Sequence, residues 1–368
     1  MLIERLLGVG LYTLLLAVVC LLLLNARTSK RVNFIFNMYL FALCVMAFFY
    51  IPGESADLLS IRNNANAWIK LDFATFWKTN VTQSYNPAAN LFIYFCSLSG
   101  IEGFLPMACA LIYYGNAFYM FKDLYNRHHY STKSLALSLF FLMAAGNFVL
   151  IIANVRTFTA MSILTRCFYD ETMNGKPIAK NILWYLIASL FHAIVLVTCV
   201  FRFAWLLFST TENIWKRFRN IMFAIAVCLI FYLVGKRYFD AAINKAIGYL
   251  QNEVYSFVWS YWISGIIAFV VFLVCCGSYQ NLTAEIKNIR GYTLMVTIVA
   301  CIFVFEYSTF NRLTLFSSLM LVPCLAKKID SKYTNNLAAI VFLCSLVMLG
   351  ISVTRGNLSG YKFFLTSW

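Results

Sequence analysis

Long, unbroken apolar runs recur along the chain, with short polar segments between them. Runs such as 14–24 and 265–276 contain no regular alternation of apolar and polar positions, whereas a strand with one buried face would alternate. Runs of this kind predict helices that can cross the apolar core of a bilayer, which is about 30 Å thick. We therefore predict an all-α fold, that of a polytopic helical membrane protein.

The apolar runs predict about 11 membrane spans. They cover about 6–24, 34–52, 103–121, 134–153, 156–170, 181–207, 220–235, 257–276, 291–306, 312–326 and 337–354. The run at 181–207 is too long for one crossing and too short for two. We predict two short helices there, at 181–191 and 193–208, that meet at His192 inside the bilayer. Such a break requires protein or water to cover the exposed backbone.

Two long loops are predicted on the outer side of the membrane, at about 53–88 and 236–256. Both carry apolar residues spaced as in a helix that lies in the membrane interface. A surplus of apolar residues at 88–100 predicts a further re-entrant or interfacial helix. No linker composition or internal repeat divides the chain, so residues 1–368 are predicted to form a single transmembrane domain.

Composition and charge agree with a membrane protein. Of the 368 residues, 62% are hydrophobic and 12% are charged, compared with about 45–50% and about 25% in soluble domains. The net charge is +15, and the basic residues form short clusters after alternate spans, which is typical of cytoplasmic loops. The clusters are Arg27/Lys30/Arg31, Lys122/Arg127/Lys133, Lys176/Lys180, Lys216/Arg217/Arg219, Lys287/Arg290 and Lys327/Lys328/Lys332.

This charge pattern places both termini outside and predicts that the first helix is retained and is not a cleaved signal peptide. The basic residues do not form one stripe or tail, so we expect no nucleic-acid partner. The 12 cysteines lie mostly inside apolar runs and form no CxxC motif or His/Cys cluster. We therefore expect no metal site.

The outer side of this topology carries more cations than the positive-inside tendency predicts. They are Arg62, Lys70, Lys78, Arg156, Lys236, Arg237, Lys245, Arg312, Arg355 and Lys362. Phosphates of the membrane surface would explain part of the excess, and a specific anionic ligand would explain the rest.

Arg156 and Arg312 stand out among the outer cations because each is predicted to open a helix. Arg156 follows Asn154, and Arg312 follows Glu306, Tyr307 and Asn311. A guanidinium group can bind phosphate oxygens bidentately, and the N-terminus of a helix adds partial positive charge. A lipid that carries a diphosphate at the outer leaflet would suit this arrangement.

His192 allows two interpretations. An intramembrane histidine can be a hydrogen-bonded packing residue, or it can act as a general base toward a sugar hydroxyl and, when charged, bind diphosphate. Arg166 and Arg202 lie nearer the cytoplasmic ends of their spans, and we predict that both extend toward water. Asn33, Asn37 and Asn147 are predicted to form polar contacts between helices.

The order of these features resembles a known family. Asp57 lies in the first outer loop, and Asn86-Pro87 precedes an apolar stretch that ends at Gly100. The segments Val155-Arg156-Thr157-Phe158-Thr159-Ala160, Ile187-Ala188-Ser189-Leu190-Phe191-His192-Ala193 and Asn311-Arg312-Leu313 follow. Over most of the chain, this pattern is similar to the Wzy-type polysaccharide repeat-unit polymerases of bacteria, in particular the EpsG-like branch, although Asn86 stands where that branch has Glu.

The resemblance implies a multi-pass glycosyltransferase of the bacterial cytoplasmic (inner) membrane, similar to the all-helical lipid-linked glycosyltransferases. Such an enzyme joins oligosaccharide repeat units linked to undecaprenyl diphosphate into capsule, exopolysaccharide or O-antigen chains at the outer face. It needs no metal or other cofactor. Its partners would be the lipid-linked oligosaccharides, membrane lipid, and the flippase and chain-length regulator of the same pathway.

On this resemblance and the charge pattern, we expect His192, Arg156 and Arg312 to be catalytic. The residues expected to bind substrate are Asp57, Arg62, Lys236, Arg237, Glu306, Tyr307 and Asn311.

Two other classes of function remain open from the sequence. An O-antigen-ligase-like sugar transferase would share the anion site and would differ only in the acceptor. A lipid or sugar transporter, or a flippase, would also have broken helices and buried charge, but its two halves would be expected to repeat.

Overall fold

The computed structural model describes residues 2–52, 57–146, 148–192, 259–276, 283–304, 307–330 and 334–354, and isolated positions between 194 and 247. Within these residues the regular elements are helices and no strand occurs. The prediction of an all-α fold is confirmed. The predicted span at 220–235, the second outer loop at 236–256 and most of the helix at 193–208 lie outside the continuously described segments.

The described helices follow one another along the chain. They are α1 (Leu2–Leu24), α2 (Ser29–Phe48), α3 (Asp57–Trp68), α4 (Phe73–Phe76), α5 (Pro87–Ser97), α6 (Phe104–Asn126), α7 (Thr132–Ala145), α8 (Phe148–Ala153), α9 (Val155–Thr172), α10 (Ile182–Phe191), α11 (Trp259–Cys276), α12 (Ala284–Ile302), α13 (Tyr307–Ile329) and α14 (Thr334–Thr354). A π-helical turn (Trp77–Val81) follows α4, and a 3-10 turn (Ile178–Lys180) precedes α10.

Three described helices are long and apolar enough to cross a membrane. They are α2, α6 and the part of α13 from Thr309 to Ile329. Several shorter apolar helices accompany them, and large apolar side chains on the outer faces are exposed, including Leu14 (64%), Phe41 (64%) and Leu343 (60%). An apolar exterior of this kind suits a lipid environment. These features support a membrane protein, while the count of about 11 spans stays a prediction.

The interior is mainly one large hydrophobic core in which α13 has a central position, and Phe76, Val81 and Tyr94 form a second, smaller cluster. Helix α13 contacts α7, α9, α11 and α12, while α2 packs along α6, and α6 packs along α9. Stacked rings fill the contact between α2 and α6; the ring centroids of Tyr39 and Phe118 are 5.3 Å apart. Because α9 lies between α6 and α13, residues at the start of α9 can meet residues at the start of α13.

Several basic linkers lie at one end of the helix bundle. Lys122 in the last turns of α6 donates to Asn37 in the third turn of α2 (3.1 Å), and Asn126 at the end of α6 donates to Asn33 near the start of α2 (3.2 Å). The backbone N–H of Ser131 donates to Asp330 after α13 (3.2 Å). The predicted interhelical role of Asn33 and Asn37 is confirmed, and Asn147 lies outside the described residues. The shared position of these linkers agrees with their predicted assignment to one side of a membrane.

The opposite end of the bundle is covered by the first outer loop. Helix α5 coincides with the interfacial helix predicted at 88–100, and its Tyr94 ring stacks on Phe76 at a centroid distance of 4.1 Å. Gly103, just before α6, lies so close to the carbonyl group of Phe48 that a Cβ atom would clash there. The loop, α5 and the ends of α2 and α6 therefore form one packed cap.

Three predictions about helix limits and side chains are corrected. The span predicted at 134–153 is divided into α7 and α8, because the backbone becomes extended at Gly146 (ψ 106°). Helix α13 begins at Tyr307, so Arg312 lies in its second turn and does not open it. Arg202 is buried and pairs with Glu171 at 2.9 Å, so it does not extend toward water.

The predicted break at His192 is present. Helix α10 ends at Phe191, and His192 has extended backbone angles (φ −157°, ψ 134°). The ten residues of α10 span about 15 Å, or half the apolar thickness of a bilayer. If α10 starts at a membrane surface, the break lies at a depth where it needs protein or water around it.

Candidate functional site

Arg312 and Asn154 join the starts of α13 and α9. Asn154 immediately precedes α9, and its side-chain Oδ1 accepts a hydrogen bond from Nη2 of Arg312 at 3.0 Å. The amide nitrogen of Asn154 donates to the carbonyl group of Leu150 at the end of α8 (3.1 Å). One asparagine thus connects three helices and fixes the direction of the Arg312 guanidinium.

Asp57 brings the first outer loop to the same place. It is the first residue of α3, and its carboxylate Oδ2 lies 3.9 Å from Nη2 of Arg312. The same carboxylate acts electrostatically on Arg156. The Asp57 side chain is 67% exposed, whereas that of Arg312 is 17% exposed. Two guanidinium groups and one carboxylate leave a local net charge of +1, so the group as a whole favours an anion.

Arg156 is the arginine with the fewest protein contacts in this group. It is the second residue of α9, as the sequence predicted, and it is partly buried. Its buried Nε atom has no hydrogen-bond partner among the described residues, and none of their carboxylates lies within ion-pair distance of it. A buried charged donor without a partner is costly. A bound anion would supply the missing acceptor.

His192 has one ring nitrogen committed to the backbone. Its Nδ1 accepts a hydrogen bond from the backbone N–H of Ile194 at 3.2 Å, so the ring caps the helical turn that follows the break. When Nδ1 accepts, the neutral imidazole carries its proton on Nε2, and Nε2 is then a donor. This arrangement favours donation by His192 to a ligand oxygen. Action as a base through Nδ1 would require loss of the cap.

His192 also lies close to the depth of the arginine group. Asn181, just before α10, donates to the carbonyl group of Cys167 and to Glu171, which places the start of α10 level with the end of α9. From that common level, α10 leads to His192 and α9 leads back to Arg156. The path along α9 is longer by about one turn, or about 5 Å, so His192 lies that much further from the outer end of the bundle than Arg156 does.

Asn86 supports the end of α10 from the first outer loop. With its amide nitrogen oriented toward α10, it donates to the carbonyl group of Phe191 at 3.1 Å and to that of Tyr85 at 3.2 Å. The bond satisfies a carbonyl group that the helix leaves free at its C-terminus. The outer loop is thus attached both to the arginine group, through Asp57, and to the helix break, through Asn86.

The other predicted site residues have separate positions. Arg62 is buried, 7% exposed, and donates to the Glu102 carboxylate at 3.0 Å and to the Glu102 carbonyl group at 3.2 Å. Burial lowers the pKa of Arg62, and the Glu102 carboxylate opposes that shift. Asn311 lies beside Arg312 on α13 and is partly buried. Arg62 therefore links α3 to the start of α6 and is not grouped with Arg156.

Four predicted residues contribute no side-chain geometry to the site. Lys236 is an isolated described position and is exposed. Arg237 and Glu306 lie outside the described residues, and Tyr307 is described only as the first residue of α13.

The structure adds three residues that the sequence interpretation had not assigned to a site, namely Asn154, Asn86 and Glu102. Asn154 lies immediately before a predicted helix, but its side chain makes no capping hydrogen bond, and its bond to Arg312 joins residues 158 positions apart. Asn86 and Glu102 act through contacts with residues distant in sequence, for which local patterns give no signal.

Among the described residues no cluster of three or more His, Cys, Asp or Glu side chains could hold a metal ion. Comparison with known proteins finds no matching family model, no matching curated protein and no matching solved structure. The chain is therefore described by its own features, as an all-helical protein with helices long and apolar enough to cross a membrane and a cationic group at one end of its bundle.

Proposed function

We propose that this chain is a multi-pass glycosyltransferase of the bacterial cytoplasmic membrane that polymerises oligosaccharide repeat units carried on undecaprenyl diphosphate. The observation that carries the proposal is the partly buried Arg156, whose Nε atom has no hydrogen-bond partner among the described residues. The Asp57 carboxylate that lies 3.9 Å from Arg312 also acts electrostatically on Arg156. Two guanidinium groups at the outer end of apolar helices suit a diphosphate that is attached to a membrane lipid.

The proposed reaction moves the growing chain from its lipid diphosphate to the next lipid-linked unit. A hydroxyl oxygen of the acceptor attacks the anomeric carbon of the donor, and the bond between that carbon and the diphosphate oxygen breaks. The electron pair of the broken bond leaves with the diphosphate. Arg156 and Arg312 stabilise the charge that develops there, which is where positioned cations accelerate such a step most.

Asn154 and Asp57 prepare the two arginines for this role. Asn154 holds Arg312 in one direction, so less order has to be imposed when the diphosphate binds. Asp57 lies near both cations and is exposed, so the incoming phosphate can take its place without first removing a buried carboxylate. Asp57 is then free to accept a hydrogen bond from a sugar hydroxyl.

His192 contributes at the helix break. With Nδ1 bound to the backbone of Ile194, its Nε2–H donates to an oxygen of the donor or acceptor. The acceptor hydroxyl proton leaves with the departing diphosphate or through water. If His192 instead takes that proton, Nδ1 has to release the helix cap, and substitution of His192 by Asn or Gln separates these two roles.

The test is a reaction of purified protein in lipid vesicles with glycan repeat units linked to undecaprenyl diphosphate. We expect a ladder of products that differ by one repeat unit, together with release of undecaprenyl diphosphate. Transfer of one glycan to a different acceptor, without a ladder of products, would show that the protein is a ligase and not a polymerase. Movement of the intact donor across the vesicle membrane, with no bond broken, would show that the protein is a transporter or flippase and not an enzyme.

A further inference from the structure

A second charged cavity lies at the basic end of the bundle, away from the arginine group formed by Arg156 and Arg312. It is a cleft of about 750 Å³ between α6, α9 and the segment that leads into α10. Its polar lining includes Asn116, Arg166, Asp170, Lys176 and Lys180. Apolar side chains line the remaining walls, among them Leu111, Ile163 and Trp184.

Arg166 is held in the cleft without an ion-pair partner. Its guanidinium donates to Oδ1 of Asn116 at 3.2 Å and lies over the Tyr119 ring, 4.2 Å from the ring centroid. No carboxylate of the described residues lies within ion-pair distance of Arg166. Arg166 is exposed on the surface of the bundle, and its contacts with Asn116 and Tyr119 fix the direction of its guanidinium.

The one carboxylate of the cleft is already occupied. Asp170 pairs with Lys176 at 2.7 Å and also accepts hydrogen bonds from Tyr119 (2.9 Å) and Asn174 (3.0 Å). Three cations, Arg166, Lys176 and Lys180, and one anion, Asp170, give the cleft a net charge of +2. The uncompensated charges are those of Arg166 and Lys180.

The apolar walls extend away from these charges along the membrane-facing surface. Leu111 and Trp184 are each about half exposed, at 51% and 50%. Leu111 lies about 20 Å along α6 from its end at Asn126, so the apolar part of the cleft reaches toward the middle of a bilayer. A ligand of matching chemistry has an anionic head and apolar chains.

We propose that this cleft binds the phosphate headgroup of an anionic phospholipid of the cytoplasmic leaflet, with Arg166 and Lys180 on the phosphate and the acyl chains along Leu111 and Ile163. Basic pockets between membrane helices on the cytoplasmic side recognise lipid headgroups in this way. The proposal depends on the membrane orientation given by the basic linkers. It does not depend on glycosyl transfer, because the cleft is at the other end of α9 from Arg156.

The experiment measures retention of added lipid by the full-length protein in detergent, using native mass spectrometry. Phosphatidylglycerol is compared with phosphatidylcholine. We expect one retained phosphatidylglycerol, bound about tenfold more tightly than phosphatidylcholine, and we expect R166Q/K180Q to reduce this preference to about twofold or less. The matched control is K30Q/R31Q, which removes one Lys and one Arg from exposed positions at the same end of the bundle.

Three results would overturn the proposal. They are an equal loss of preference in K30Q/R31Q, unchanged retention in R166Q/K180Q, and displacement of the lipid by millimolar inorganic phosphate alone, which would make the ligand a soluble anion. If R166Q/K180Q does not fold, amine acetylation of the unmodified protein gives the answer. Phosphatidylglycerol should protect Lys180 severalfold and leave Lys30 unprotected, and equal labelling of both would reject the site.

Discussion

Arg312 donates a hydrogen bond to Asn154, which is 158 positions earlier in the chain, with an Nη2–Oδ1 distance of 3.0 Å. This contact brings together the starts of α13 and α9, and therefore Arg312 and Arg156. The Asp57 carboxylate adds the first outer loop to the same group. The proposed function depends on this convergence of three segments.

Asn154 should orient Arg312 without itself carrying charge. We expect N154D to keep the acceptor for Arg312, add a negative charge to the group and reduce donor turnover by about 10-fold or more, since one cation would be neutralised. N154A should remove the acceptor, leave the charge unchanged and lower the free energy of unfolding by about 1 kcal/mol. Thermal unfolding and product ladders of both variants are the measurements. Equal activity of the two variants would mean that charge at this position is unimportant.

Asp57 should compete with the donor phosphate for the arginines. Because its side chain is 67% exposed and lies 3.9 Å from Arg312, the contact is worth about 0.2–1 kcal/mol. D57N should therefore tighten binding of undecaprenyl diphosphate by up to about fivefold. The control is D72N, in the same loop, where Asp72 caps α4 through Thr75. Weaker lipid binding by D57N, with D72N unchanged, would show that Asp57 assists phosphate binding.

Substitutions of His192 should separate its two ring nitrogens. Asn can replace the Nδ1 acceptor that caps the turn at Ile194, and Gln can place a donor near the position of Nε2. If His192 donates through Nε2, H192N should fold normally with low activity, and H192Q should retain more activity while losing about 1 kcal/mol of stability. H192A should lose both properties.

The base role of His192 predicts a different result for the same variants. Neither amide can accept a proton, so H192N and H192Q would then be equally inactive. If all three variants have wild-type activity, measured beside their melting temperatures, His192 is a packing residue and takes no part in the reaction.

Arg62 and Glu102 should affect stability and leave chemistry unchanged. Arg62 is buried and its partner is 63% exposed, so E102Q leaves a buried cation without its counter-charge, whereas R62M replaces the charge with an apolar side chain of similar length. We expect E102Q to be more destabilising than R62M, at about 1–3 kcal/mol. Urea titration would measure both. A loss of turnover in R62M that still folds would show that Arg62 takes part in substrate binding.

Much of the fold could be predicted from local patterns. Apolar runs identified most of the described helices, charge clusters identified linkers that share one end of the bundle, and the length of the run at 181–207 revealed the break at His192. Each of these features depends on residues that are close together in the sequence, so a local sequence pattern can predict it. The starts of α2 and α13 were predicted several residues too late, because polar residues also form the first turns of helices.

The convergence at the site could not be predicted in the same way. The sequence placed Arg156 at the start of a helix, but neither its position beside Asp57 nor the Asn154–Arg312 contact follows from periodicity. The same reason explains the error at Arg202. Its partner, Glu171, lies on α9, and an arginine with a buried partner has no need to reach water.

The rate of chain extension by Arg156 variants tests the central claim most directly. With the lipid-linked donor and the protein in vesicles, R156Q should extend the glycan about 100- to 1000-fold more slowly than the unmodified protein, which corresponds to about 2.7–4 kcal/mol of lost transition-state stabilisation. R156K should recover only part of this rate, because lysine lacks the planar fork. K78Q, which removes an exposed cation of the outer loop, should extend the glycan normally. A folded R156Q that extends the chain at the normal rate, with an unchanged melting temperature, would contradict the account.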